Sequence, residues 1–214
     1  MNRLTRIADK YETDKGSVND AHLYTEFYQR FFEKYEFPKI LEFGTWHGGS
    51  TKMFNDFFDG DCLIWTCDIM KESQEYVSGM SNVNFINVDI SKGEELSKLY
   101  ESLKDIQFDI IIDDASHIWG DQMSLLSKFH KLLKREGIYV LEDIHYSRLY
   151  PDMENSPLFF LNFLTPSIQL TEEENKELID NIKDVQIYSR KNNSENMVKE
   201  FGGRSMTAII TFEK

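Results

Sequence analysis

The chain has 214 residues, 41% of them hydrophobic and 29% charged, which suits one folded domain with a sizeable core rather than two. Its formal net charge of −13 argues against nucleic acid as a partner, because phosphate binding needs a basic surface, and against docking on an anionic membrane. No apolar leader region opens the chain and no apolar run is long enough to cross a bilayer, so the expectation is a cytoplasmic protein without membrane insertion. Cys62 and Cys67 fall in one predicted strand at a spacing that faces them to opposite sides, and they form no CxxC pattern; they read as reduced core thiols.

Residues 4–11 and 21–35 carry the mixed apolar and charged positions of two helices, separated by the turn Thr13-Asp14-Lys15-Gly16-Ser17. A first strand follows at 39–43, then a glycine-rich turn and a helix at 50–58. The second strand, 63–67, ends in Asp68, and the third, 83–88, ends in Asp89. A helix at 94–104 leads to the fourth strand at 108–112; a helix at 122–134 leads to the fifth at 138–141. This alternation predicts a parallel sheet with right-handed crossovers. Prolines break up 146–166, read as a loop with a short apolar helix at 158–164, whose Phe159, Phe160 and Phe163 read as core or as a lid. Thr171 and Glu174 have the spacing of a capping box that starts a helix running to about residue 182. Strands at 185–188 and 207–212 close the fold, with 191–203 as a polar connection.

Two strand ends stand out. The run Ile110-Ile111-Ile112 ends in Asp113-Asp114-Ala115-Ser116-His117, and the fifth strand runs into Glu142-Asp143-Ile144-His145. Charge at a strand mouth is costly unless it is paired, and the mouths of parallel strands are where such sheets place ligands. Adjacent residues of a regular strand face opposite ways, so Asp113 and Asp114 should not both hold a metal; Asp113 is expected to face a cofactor or to stabilise a loop. The turn Glu42-Phe43-Gly44-Thr45-Trp46-His47-Gly48-Gly49-Ser50 departs from the dinucleotide fingerprint, and its acidic Glu42 suits a cationic ligand better than a pyrophosphate. Asp68 lies where such folds hold a ribose diol, and Asp89 is within reach of an adenine amine.

With these segments the chain resembles the class I S-adenosylmethionine-dependent methyltransferases, whose first motif has the form acid-x-Gly-x-x-x-Gly. More narrowly it resembles the metal-dependent sugar O-methyltransferases of macrolide biosynthesis and their bacterial relatives, including cephalosporin hydroxylase-like proteins. The resemblance rests on Tyr11-x-Thr13-Asp14-Lys15-Gly16, His22-Leu23-Tyr24, Asp113–His117 and Glu142–His145, and extends to about residue 148. It implies a Rossmann-like α/β fold: a seven-stranded, mostly parallel sheet with the last strand antiparallel and helices on both faces. Residues 1–214 form a single domain on this reading, with 1–36 as a helical segment or lid and 37–214 as the core.

The resemblance further implies S-adenosylmethionine as methyl donor and a divalent metal, Mg2+ first. Glu42, Gly44 and Ser50 would line the donor's methionine end, with Asp68 on the ribose and Asp89 near the adenine. Asp114, Glu142 and Asp143 would hold the metal, with His117 as general base. Thr13, Asp14, Lys15, His22 and Tyr24 form either a plain turn or a cover over donor or acceptor. His145 reads as an outer partner of the metal carboxylates, a second base or a structural residue. Relatives often carry glycine at the position of Ala115. The larger macrolide enzymes carry an N-terminal domain without counterpart here, so acceptor and assembly are not carried over; a homo-oligomer is compatible with the reading.

The chemistry fits the residue types. Magnesium prefers carboxylate and hydroxyl oxygens, and binding a hydroxyl to it lowers the hydroxyl's pKa so that an imidazole can take the proton near neutral pH. The expected reaction is methylation of a hydroxyl on a sugar, sugar nucleotide or glycan-related small molecule. A nucleotide-binding oxidoreductase is the enzymatic alternative, opposed by the glycine spacing and Glu42; hydrolysis at a metal and a non-catalytic binding or scaffold subunit are the others.

Overall fold

The computed structural model describes residues 1–18, 21–144, 156–191 and 204–213. Seven strands form one sheet in the order β3-β2-β1-β4-β5-β7-β6: β1 is Lys39–Phe43, β2 Leu63–Asp68, β3 Val83–Asn87, β4 Phe108–Asp113, β5 Leu133–Leu141, β6 Ile182–Lys191 and β7 Arg204–Phe212. The strands from β3 through β5 pair in parallel, while β7 runs antiparallel between β5 and β6. The expected seven-stranded, Rossmann-like sheet with an antiparallel last strand is thus the observed one.

Strand parity decides the two cores. Leu41, Phe43, Ile111, Tyr139 and Leu141 face α5 (Gly93–Leu103), α6 (Trp119–Phe129), α7 (Pro157–Phe163) and α8 (Glu172–Asn181). Ile40, Ile110, Ile112, Ile138 and Val140 face α1 (Arg3–Lys10), α2 (Thr25–Phe32) and α3 (Gly49–Phe57). The N-terminal segment is therefore half of one helical layer: Leu4, Ala8, Tyr24, Tyr28 and Phe32 are fully buried in it. Cys62, just before β2, and Cys67 within it sit in opposite cores, both as free thiols.

Three elements differ from the sequence expectation. A short helix, α4 (Ser73–Val77), follows β2 and was not foreseen. The helix expected over 122–134 ends at Phe129, a single 3-10 turn covers His130–Leu132, and β5 already begins at Leu133. A register shift against β4 and the left-handed backbone of Glu136 let that polar stretch join the strand. Among the phenylalanines of α7, Phe160 is core and Phe163 is exposed. His145 and residues 146–155 lie outside the described residues, as do 192–203.

Candidate active site

Parallel pairing sets four strand ends at one level. Phe43 lies beside Cys67 on one flank and Asp113 on the other, and Asp113 lies beside Leu141. The ladder continues one step further, with the Gly44, Asp114 and Glu142 amides donating to Cys67, Phe43 and Asp113 carbonyls at 2.9 Å each. From β1 the chain winds outward to β2 and β3, then returns to start β4 and β5 on the other side, so a crevice opens between the β1 and β4 ends. A cavity of about 830 Å³ occupies it, lined among others by Thr13, Asp14, Lys15, Gly44, Trp46, Ser50, Asp68, Asp89, Asp114 and His117.

Its β1–β3 half is built around Gly44, whose backbone has φ +97° and lies so close to the Asp114 carbonyl that a Cβ would stand 2.0 Å from that oxygen. Only glycine lets the loop pass there. Asp68 accepts the Thr45 and Trp46 amides at 3.0 and 2.6 Å, and the Met70 amide at 2.8 Å, which fixes the loop against β2. Asp89 accepts the Ser91 hydroxyl at 2.6 Å, the chief cause of a pKa below the usual carboxylate value.

Two residues expected to touch the cofactor have other surroundings. Glu42 is fully buried beneath the loop, where its carboxylate accepts the Ser50, Thr51 and Thr66 hydroxyls; burial outweighs these bonds and holds its pKa up. It shapes the loop from below, and Ser50 is the member of this set that lines the cavity. Asp113 points into the opposite core, as strand parity requires, against the Tyr139 hydroxyl and the Ala115 backbone. Burial raises its pKa well above the carboxylate range. Ala115 has no left-handed backbone, so its methyl group creates no strain.

The β4–β5 half is a carboxylate cluster. Asp114 and Glu142, both one residue past their strands, stay on the side facing α1–α3. Asp143 should face away, but its φ of 53° turns the chain and returns its carboxylate to the cluster. His117 has φ 56° and brings Nε2 to 3.5 Å from Asp143. Asp114, His117 and Asp143 each place one potential ligand atom within 4.8 Å of the other two. Asp114 and His117 on the cavity wall, with buried Asp143 behind them, fit a divalent cation, the carboxylates suiting Mg2+ and the imidazole favouring Mn2+ or Fe2+.

The N-terminal segment completes the cluster. Tyr24 donates to Asp143 at 2.6 Å and to the Met206 carbonyl at 3.1 Å. His22 stacks on Tyr24, lies 2.8 Å from the Ser205 hydroxyl and has Nδ1 at 3.8 Å from Asp143. Lys15, 1% exposed, sends its ammonium to Asp114 and, at 2.8 Å, to Glu142. Burial disfavours its charge, but the fields of Asp114, Glu142 and Asp14 win and hold its pKa well above that of a free lysine. Burial likewise raises Asp114 and Glu142 despite Lys15, because one ammonium does not offset a group of buried carboxylates. The sequence reading gave Lys15 only a place in a turn or cover. The available signal was the count of acids at two strand ends, which calls for a buried cation.

Comparison with known proteins gives this site its context. The chain is 32% identical over 154 residues to demethylmacrocin O-methyltransferase of Streptomyces fradiae, an alignment covering 66% of the chain and 36% of that protein. It is 29% identical over 150 residues to mycinamicin VI 2''-O-methyltransferase of Micromonospora griseorubida, again 66% of the chain and 36% of the relative. Among solved structures, the mycinamycin-pathway methyltransferase MycE, in complex with Mg, SAH and mycinamycin VI, superimposes on all of the chain and 55% of its own length, with TM-score 0.75 and 22% identity. The chain has the class I methyltransferase fold. It is related in sequence to macrolide sugar O-methyltransferases and spans about a third of the length of these curated relatives. A SAM-dependent methyltransferase from Anabaena variabilis shares the fold over 100% of the chain and 96% of its own, with TM-score 0.53 and 15% identity. No protein-family model matches the chain. Among the described residues no helix is long and apolar enough to cross a membrane.

Proposed function

We propose that this methyltransferase-fold chain transfers a methyl group from S-adenosylmethionine to a hydroxyl of a sugar, sugar nucleotide or related glycan precursor, with a divalent cation. The observation that supports this most strongly is that the Gly44 loop with Asp68 lines one cavity together with Asp114 and His117, and that Asp143 lies within ligand distance of those two. The relatives that match in sequence methylate glycosylated natural products by name, and MycE was solved with Mg and SAH. The separate, buried thiols Cys62 and Cys67 suit the cytoplasm.

In this reading the donor lies along the β1–β3 half, its ribose toward Asp68 and its adenine toward Asp89. Ser50 and Gly44 face its methionine end, with Glu42 fixing the loop beneath. Asp114 and Asp143 would hold the cation, with Glu142 beside them. A cation there supplies Lewis acidity that lowers the pKa of the acceptor hydroxyl. His117 Nε2 receives that hydroxyl's proton as the oxygen–methyl bond forms and the methyl–sulfur bond breaks, and Asp143 steadies the imidazolium across 3.5 Å.

Calorimetry with S-adenosylhomocysteine and with NAD, in Mg2+ and in EDTA, tests the reading. S-adenosylhomocysteine should bind and NAD should not; the reverse result overturns the assignment. His117→Ala should keep both S-adenosylhomocysteine and Mg2+ affinity while methyl transfer to a sugar-nucleotide panel falls about 10²–10⁴-fold. A collapse of Mg2+ affinity in that variant would instead make His117 a ligand.

A further inference from the structure

Lys15 is the only lysine among the described residues that is almost fully enclosed, and a rigid frame delivers it. The Asp9 carboxylate takes the Ser17 amide and hydroxyl at 2.6 Å each, pinning the turn to α1. The Thr25 amide donates to the Lys15 carbonyl at 3.1 Å, pinning it to α2. A Cβ on Gly16 would stand 2.4 Å from the Asp9 carboxylate oxygen that holds the Ser17 amide, so glycine there leaves that contact undisturbed. All of this geometry holds one ammonium between Asp114 and Glu142.

The charges give that placement a purpose. Asp114, Glu142 and Asp143 bring three carboxylates together, Asp14 adds its field from the surface, and Lys15 is the ammonium placed between two of them. Lys15 contacts Asp114 and Glu142, whereas the candidate cation group is Asp114, His117 and Asp143, so Asp114 is the residue that the ammonium and the cation group have in common. Building on the metal-dependent reading above, we propose that Lys15 is a positioning residue for the metal: its ammonium remains in place when the ion binds, neutralises Glu142 and holds Asp114 in its ligating orientation. Outer partners that orient metal ligands typically govern metal affinity by 10–100-fold.

The test is calorimetric titration of Mg2+ and Mn2+ into wild type and Lys15→Met, with S-adenosylhomocysteine binding as the measure of an intact fold. The expected result is unchanged S-adenosylhomocysteine affinity in the variant and cation binding about 10–100-fold weaker. Unchanged or tighter cation binding overturns the proposal, the latter by making Lys15 a competitor. Wild type itself addresses the case of a variant that does not fold: amine acetylation read by mass spectrometry should leave Lys15 protected both in EDTA and in saturating Mg2+. Labelling that appears with Mg2+ means the ammonium was displaced, and the proposal fails. Absence of cation binding to wild type removes the metal reading and this proposal together, whereas binding to wild type with an unaffected variant removes the proposal alone.

Discussion

Asp113 and Asp114 are neighbours in sequence with opposite fates, and both follow from one rotation along a strand. Asp114 faces the cavity and Lys15; Asp113 faces the core beside Tyr139, with burial raising its pKa well above the ordinary value. The folded protein therefore keeps a proton on Asp113 that the unfolded chain gives up above about pH 4. Because the folded-state pKa is the higher one, stability from this group is full below about pH 4 and is lost as pH rises toward the folded value. Asn imitates the protonated carboxyl and does not titrate. Asp113→Asn should match wild type near pH 4 in urea unfolding and exceed it by on the order of 1 kcal/mol or more at pH 8; parallel pH profiles would contradict a buried, proton-retaining Asp113. The facing of this acid pair was legible from strand parity. The return of Asp143 to the cluster was not, because it depends on a left-handed backbone at a non-glycine residue. Nor was the Lys15–Glu142 contact, which joins residues 127 positions apart.

Among the elements, those with local determinants were readable. β1 is bounded by Pro38 and Gly44 and has the expected limits. The start of α8 was readable in four residues, since the Thr171 side chain accepts from the Glu174 amide while the Glu174 carboxylate accepts from the Thr171 amide. Elements decided by tertiary pairing were misread. Leu133 and Lys134 look like a helix end, yet β5 takes them up because Leu133 pairs with Phe108 and a register shift carries the chain on to Ile138 opposite Ile110. α4 has five residues, too few for a period to show. The N-terminal helices were seen as helices, but their role was hidden: their apolar faces complete the layer over β1, β4 and β5, and that docking carries Lys15, His22 and Tyr24 to the carboxylates. A segment this deeply packed brings the site its own cation and hydroxyl donor as a consequence of folding.

For the molecule as a whole, the net charge of −13 makes any cation stabilising to some degree, because counter-ions relieve self-repulsion across the surface. A rise in melting temperature on adding Mg2+ at low salt therefore says little about the site. Monovalent salt separates the two effects: at about 1 M the screening length is roughly 3 Å, which removes the diffuse contribution while partly buried charges are screened much less. The cluster qualifies, with side-chain exposures of 18% for Asp114, 7% for Asp143 and 1% for Glu142. At 100-fold excess over its dissociation constant a site-bound ion contributes about 2.7 kcal/mol, or roughly 5–10 °C for a protein of this size. Wild type should thus keep a Mg2+-dependent shift of that order in about 1 M KCl. Asp114→Asn, which preserves shape but removes a ligand charge, should respond to Mg2+ at low salt and lose the response at high salt. If instead the wild-type shift disappears with screening, the cation acts on the surface, and the carboxylates at the ends of β4 and β5 serve the fold through Lys15 alone.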